Sequence, residues 1–301
     1  MSMREDNQHQ VAADAAQLAG VMPAIDETPT LTAGKKFRWS SIIGPLGVLV
    51  VFLSIWEYMH RDGLRRVFDK RGTLLPSPVT VINEGFGNKI FRDKLWQGLG
   101  WTTYTSFLGL ALAIVIGLAL AVLMAQALWI ERSLFPYLVA LQALPVLAVV
   151  TVIYIVFGGG MGSRLFVCVM ISLFPIVTNT LFGLTTVDAS QHDLFTLRSA
   201  SGFTRLIKLQ FPAAMPAIFT GFRISAGLSV IGAIVGEQFF RQGSKPGLGM
   251  FIDQFRSRGQ YPALYADVLL SSLLGVAVFF AFDFVGRMVV GHWHEATRRT
   301  S

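Results

Sequence analysis

Six long apolar runs, separated by polar stretches, dominate the chain: 41–59, 104–128, 134–157, 165–187, 217–240 and 267–290. A bilayer core about 30 Å thick is crossed by roughly 20 residues of α-helix. Each run is long enough for one crossing, so the pattern predicts an all-α protein with about six membrane-spanning helices. Pro45, Pro136, Pro145 and Pro175 lie near or inside these runs. Membrane helices tolerate proline where neighbours satisfy the freed backbone groups, so kinked, closely packed helices are expected.

The connecting stretches carry weaker patterns. After the first run comes Leu74-Leu75-Pro76-Ser77-Pro78, then Ile82, Phe86, Ile90, Phe91 and Leu95. Their i, i+4 spacing predicts a helix lying at the membrane interface. Residues 1–38 are polar and Ala-rich, with Pro23 and Pro29 and no lasting periodicity, which predicts a disordered tail ahead of a membrane domain over 39–301. The first run is too long for a signal-peptide core and lacks a cleavage pattern, so it is expected to remain in the mature protein.

Composition reinforces the membrane reading. The chain is 53% hydrophobic and 14% charged, whereas soluble domains carry roughly a quarter charged residues. The net charge of +7 does not mark a nucleic-acid surface, because the basic residues fall between apolar runs and read as topology signals. An even number of crossings puts both termini on one side. Lys35, Lys36, Arg38, Arg287, Arg298 and Arg299 favour the cytoplasm, while Arg61, Arg65, Arg66, Lys70, Arg71, Lys89, Arg92 and Lys94 in the first long loop pull the other way.

Enzyme chemistry finds no foothold. The lone Cys168 sits in an apolar run, and the five histidines (His9, His60, His192, His292, His294) are scattered. His292-Trp293-His294 offers two ligands without a third and reads as an interfacial Trp flanked by solvated His. No G-x-x-x-x-G-K-[ST] loop is present, so the chain is expected to hold no cofactor, and any ATP that drives it is bound by another subunit. Ionisable residues in the runs include Glu57, Arg223, Glu237 and Asp283. Such groups line a path or gate, or pair between helices or reach the interface. Ser225 and Ser229 share a helix face, and Gly232 and Gly236 form a small-residue stripe suited to close packing.

The stretch 188–216, between the fourth and fifth runs, mixes polar and apolar residues. Ser190 and Asp193 have capping-box spacing, Gly202 is a helix breaker, Thr204 can cap a second short helix, and Pro212 is expected to limit it. A helix-turn-helix on the membrane surface is predicted. Its Leu194, Leu197, Phe203, Leu206 and Ile207 need a partner surface, either the protein's own spans or another subunit.

This segment resembles the cytoplasmic coupling loop of binding-protein-dependent ABC importer permeases: Glu-Ala-Ala, three residues, Gly, nine residues, Ile-x-Leu-Pro. Anchored on Leu209-Gln210-Phe211-Pro212, the acidic position falls on Asp193, the alanines on Leu194 and Phe195, and the glycine on Ser199, with Gly202 three residues late. Further marks resemble the nitrate, taurine, sulfonate, pyrimidine-precursor and riboflavin branch: Trp56-Glu57, Leu74-Leu75-Pro76-Ser77-Pro78, the glycines after Phe157, Pro212-Ala213-Ala214-Met215-Pro216, Gly221-Phe222-Arg223, Gly236-Glu237 and Gly247-Leu248-Gly249.

The resemblance implies an ABC type I importer permease (MetI-like) fold in the inner or plasma membrane, both termini cytoplasmic. It implies ATPase subunits, an extracytoplasmic solute-binding protein and a second permease copy as partners, and no nucleic acid. Ser190, Asp193, Leu194, Leu197, Ser199, Gly202, Leu209 and Pro212 would then engage the ATPase. Glu237, Arg223 and Ser229 are candidates for the path of a small organic or anionic solute. The run from Gly227 to Glu237 looks closest to the pyrimidine-precursor and riboflavin side. A self-sufficient secondary transporter or channel is the alternative, although the halves show no convincing repeat.

Overall fold

The computed structural model describes residues 40–63, 74–241 and 245–298, with side chains omitted at 40–42, 62, 63, 189 and 292–298. The tail over 1–38, the basic residues at 65, 66, 70, 71 and 299, and the side chains of His292, His294 and Arg298 lie outside what is described. The chain forms two units, 1–52 and 53–301. In the first, residues 40–52 are helical, and the side chains described there are exposed. The second contains everything that follows. Among the described residues there is no strand.

Helix α1 (Ser40–Tyr58) runs on into a π-turn at Met59–Gly63. A short α2 (Pro78–Thr80) starts with Pro78 in the first turn and with the Ser77 hydroxyl accepting from the Thr80 N–H at 3.1 Å. It continues as the π-turn Val81–Phe86. Asn88 then caps α3 (Lys89–Gln126), accepting from the Ile90 N–H at 2.9 Å. The interfacial helix expected around 82–95 is therefore two pieces: a separate short turn and the first turns of a long span. Val81 and Leu95 are buried and Phe86 and Phe91 pack on the core, while Ile82 and Ile90 stay exposed.

The third apolar run is a broken crossing. Helices α4 (Leu128–Ala143) and α5 (Val146–Phe157) meet at an angle of 99°. Pro145 lies in the break, where it restricts Leu144 to an extended conformation with ψ 132°. The run and its prolines predict one kinked span, and the structure bends it further, into two separate helices. The pair still carries the chain from one end of the bundle to the other. The end of α3 packs beside Leu206 and Phe211, whereas Val150 and Ile153 pack with Val167 and Phe240 at the opposite end.

Helix α6 (Met161–Thr185) returns to the first end, where α7 (Ala189–Leu197) and α8 (Gly202–Arg205) follow. Next come a π-turn at Leu206–Gln210, α9 (Phe211–Phe239), a short α10 (Leu248–Ser257) and α11 (Tyr261–Arg298). Among the described residues, five helices are long and apolar enough to cross a membrane, six with the bent pair counted as one.

Helices α6 and α9 form the most extensive packed pair, flanked by α3 and α11. In lipid no hydrophobic gain separates helix–helix from helix–lipid contact, so small residues that admit close approach decide who packs on whom. Gly232 shows this: a Cβ there would stand 2.8 Å from Cys168 Cα on α6. The Gly232–Gly236 stripe therefore serves packing within the chain. Large apolar side chains such as Val115, Ile155, Leu273 and Phe280 stay exposed on the outside of the packed helices.

Candidate functional site

Two places gather the residues of interest: the α7–α8 corner at one end of the bundle, and a buried polar knot toward the other.

At the corner, α7 begins after Asp188 with no side-chain cap, so Ser190 and Asp193 do not form the expected capping box. The helix closes on Ser199. The Ser199 N–H donates to Thr196 O at 2.9 Å and the Ala200 N–H to Phe195 O at 3.0 Å, the paired bonds of a Schellman turn. Ser199 takes the left-handed conformation that this turn requires, φ 50°. The stop thus lies at the position where the family pattern carries glycine. Gly202 is instead the first residue of α8, which Ser201 caps by accepting from the Thr204 N–H at 3.3 Å; Thr204 is not the cap. Arg205 ties the two helices, donating to Thr196 Oγ1 at 3.1 Å.

Pro212 does not end the second helix. Lacking an N–H, and with a ring that would crowd the carbonyl of residue 208, it breaks the regular ladder. The backbone absorbs this as the wider π-turn just upstream, where the Phe211 N–H reaches Leu206 O. Residues 202–239 thereby form one continuous helix of 38 residues. Of the apolar residues at the corner, only Leu206 packs on the spans. Leu194, Leu197, Phe203 and Ile207 are exposed, Leu197 at 83%, and Leu209 is half-buried. Leu194, Phe195, Arg198, Ala200, Thr204 and Lys208 line a cavity of about 450 Å³.

In the polar knot, Glu237 is fully buried near the end of α9. Its Oε2 accepts from Thr102 Oγ1 on α3 at 2.8 Å and from the Gly249 N–H on α10 at 3.0 Å. Thr102 Oγ1 in turn accepts from the Leu248 N–H at 2.8 Å. Arg164 of α6, also buried, attracts Glu237 electrostatically and donates to Phe240 O at 2.8 Å and Lys245 O at 2.9 Å. Asp267 of α11 is buried within electrostatic reach of Glu237. A Cβ on Gly249 would come within 2.9 Å of both the Glu237 Cβ and the Ile234 carbonyl carbon, so only glycine admits this approach. The knot joins four helices through one carboxylate.

Of the other candidates, Ser229 is buried and bonds Ala226 O of its own helix at 2.8 Å, and Ser225 bonds Ser172 O on α6 at 2.7 Å. Arg223 pairs with Asp283 of α11 at 2.6 Å, and Asp283 also accepts from Arg287. Glu57 pairs with Arg61 at 2.7 Å.

Residues 113–293 match the family described as binding-protein-dependent transport system inner membrane component. The chain belongs to that family. The permease is 34% identical over 237 residues to a formylaminopyrimidine transport permease of Halalkalibacterium halodurans, covering 79% of this chain and 90% of the relative. It is 28% identical over 269 residues to a riboflavin transport system permease of Chloroflexus aurantiacus, covering 89% and 97%. A nitrate import permease of Synechocystis is 28% identical over 247 residues, covering 79% and 84%. The family consists of multi-pass inner-membrane transport permeases, not enzymes.

Sequence marks far apart in the permease meet in space. Trp56 Nε1 donates to Pro76 O at 3.0 Å, joining Trp56-Glu57 to the Leu-Leu-Pro-Ser-Pro stretch. Gly236-Glu237 closes on Gly247-Leu248-Gly249. Thr102 and Arg164 escaped sequence reasoning. A threonine at the edge of an apolar run carries no visible signal, but Arg164, alone among uncharged residues from 133 to 187 and placed just after a glycine cluster, could have been noticed.

Proposed function

We propose that this permease is the membrane subunit of an ATP-driven importer, working as a homodimer with two ATPase subunits that bind the ATP and with an extracytoplasmic binding protein that delivers the solute. The observation that carries this reading is the α7–α8 corner, whose Leu194, Leu197, Phe203 and Ile207 face outward beyond the spans. An apolar patch at the end of a bundle is left bare when another protein covers it. In this role Leu194 and Leu197 enter the ATPase, Ser190 and Asp193 flank the contact, Ser199 and Gly202 shape the corner, and Leu209 and Pro212 join it to α9. The corner would then be cytoplasmic, as would both termini.

The solute is proposed to be a small nitrogen heterocycle. Supporting this are the resemblance to the formylaminopyrimidine permease and an uncharged cavity of about 770 Å³ along α9 and α11, lined by residues such as Val230, Ile234, Phe279, Ser271 and Ser272. Of the path candidates, Arg223 lines a different, smaller cavity and is not kept in the path. Glu237 and Ser229 we read as packing anchors.

Replacing Leu194 and Leu197 with aspartate should abolish co-purification with the ATPase and ATP-dependent uptake while leaving the unfolding free energy of the permease within about 0.5 kcal/mol of wild type, as for surface substitutions generally. Uptake that survives the double substitution would sink the coupling assignment.

A further inference from the structure

At the α7 end of the bundle, antiparallel α9 and α11 leave a cavity of about 390 Å³ lined by Phe219, Arg223, Phe282, Asp283, Arg287 and Val290, among others. Its charge does not balance. Arg223 and Arg287 each donate to a different oxygen of Asp283, so two guanidiniums share one carboxylate, and among the described residues the cavity lining includes no second acid. A guanidinium carries five N–H donors, and Asp283 uses few of the ten. Asp283 is nearly covered, at 11% side-chain exposure, but the Arg287 side chain is 76% exposed. A cationic pocket therefore opens between two membrane helices with its carboxylate at the back.

The remaining walls point to the kind of anion. Phe219, Phe282 and Val290 are apolar, and the Thr220 hydroxyl is turned to Pro216 O at 2.9 Å. Arg223 lies two helical turns beyond Pro216, roughly 10 Å further along the helix. Long arginine side chains bridge that distance by reaching back to the interface. A free hydrated oxyanion has no use for aromatic walls, whereas a phospholipid brings a phosphate for the arginines and acyl chains for the rings.

We propose that this pocket binds the phosphate headgroup of an anionic phospholipid, held by Arg223 and Arg287 with Asp283 fixing both guanidiniums. The site is separate from the ATPase contact and from the solute. If the α7 end is cytoplasmic, it lies in the leaflet where anionic lipid supplies a negative surface.

The test is native mass spectrometry of the intact permease with phosphatidylglycerol and phosphatidylcholine in competition, and with inorganic phosphate as a third arm. Retention of phosphatidylglycerol should exceed that of phosphatidylcholine by about fivefold or more, and Arg287→Gln should remove about fivefold, since each basic residue near a lipid surface contributes about that factor. Asp283→Asn frees both guanidiniums and should hold or raise retention, an outcome that a purely structural ion triad does not give. Equal retention of the two lipids, equal losses in Arg287→Gln and Asp283→Asn, or full displacement of lipid by inorganic phosphate would overturn the proposal. The readout needs no transport, so a failed coupling assignment leaves it interpretable.

Discussion

Ser199 and Gly259 occupy the same place in two equivalent turns. Gly259, at φ 67°, donates to Arg256 O and is followed by Gln260 donating to Phe255 O, the pattern found at Ser199. A side chain in this conformation costs roughly 1 kcal/mol that glycine avoids. Ser199→Gly should slow hydrogen exchange across 189–200, whereas Ser199→Val should hasten it. Thr102 allows a sharper experiment. Thr102→Val leaves the Glu237 carboxylate one donor short and strands the buried Leu248 N–H, which should cost about 2–4 kcal/mol in detergent unfolding; Thr102→Ser should restore most of it. At this scale the sequence was legible where a residue's type forces its role, as for Gly232 and Gly236, whose small size admits close packing on α6. It was silent where the partner is distant in sequence: the hydroxyl of Thr102 acquires meaning only when Glu237 and Leu248, well over a hundred residues later, fold against it.

Among the elements, length and apolarity located the four straight crossings from α3 onward but not the course of the third run. A stretch such as Leu134 to Phe157 has the same composition straight or bent, and only the backbone shows that Pro145 turns it by 99°. Pro212 gave the opposite error. Proline there suggested an end, but a π-turn costs less than breaking a span whose remainder is packed on α6. Helix α10 carries its own charge chemistry. Hydrogen bonds from Arg256 and then Arg241 hold the Asp253 carboxyl below the usual carboxylate range. A lowered folded pKa means that the pairs contribute above about pH 4 and that this contribution fades as pH falls through the lowered value. Both arginines are solvent-exposed, so the whole effect stays under about 1 kcal/mol. Asp253→Asn should lower the unfolding midpoint slightly at neutral pH and make no difference at the acid limit.

For the molecule as a whole, counting the bent pair as one crossing gives six candidate crossings among the described residues, an even number. The proposed sidedness can be checked directly because Cys168, the single cysteine, is buried. A Gln191→Cys variant should react with a membrane-impermeant maleimide only in inside-out vesicles; labelling in intact cells would reverse the assignment. The π-turn has a consequence for phase. One residue advances an α-helix by about 100°, so the extra residue held at Leu206–Gln210 sets the angle at which everything upstream meets everything downstream. Excising one residue there would let the helix close into a regular spiral, fold normally and yet swing Phe203 about a quarter-turn around the axis. A permease so altered should insert and unfold like the original while presenting the wrong side of its corner to whatever docks on it.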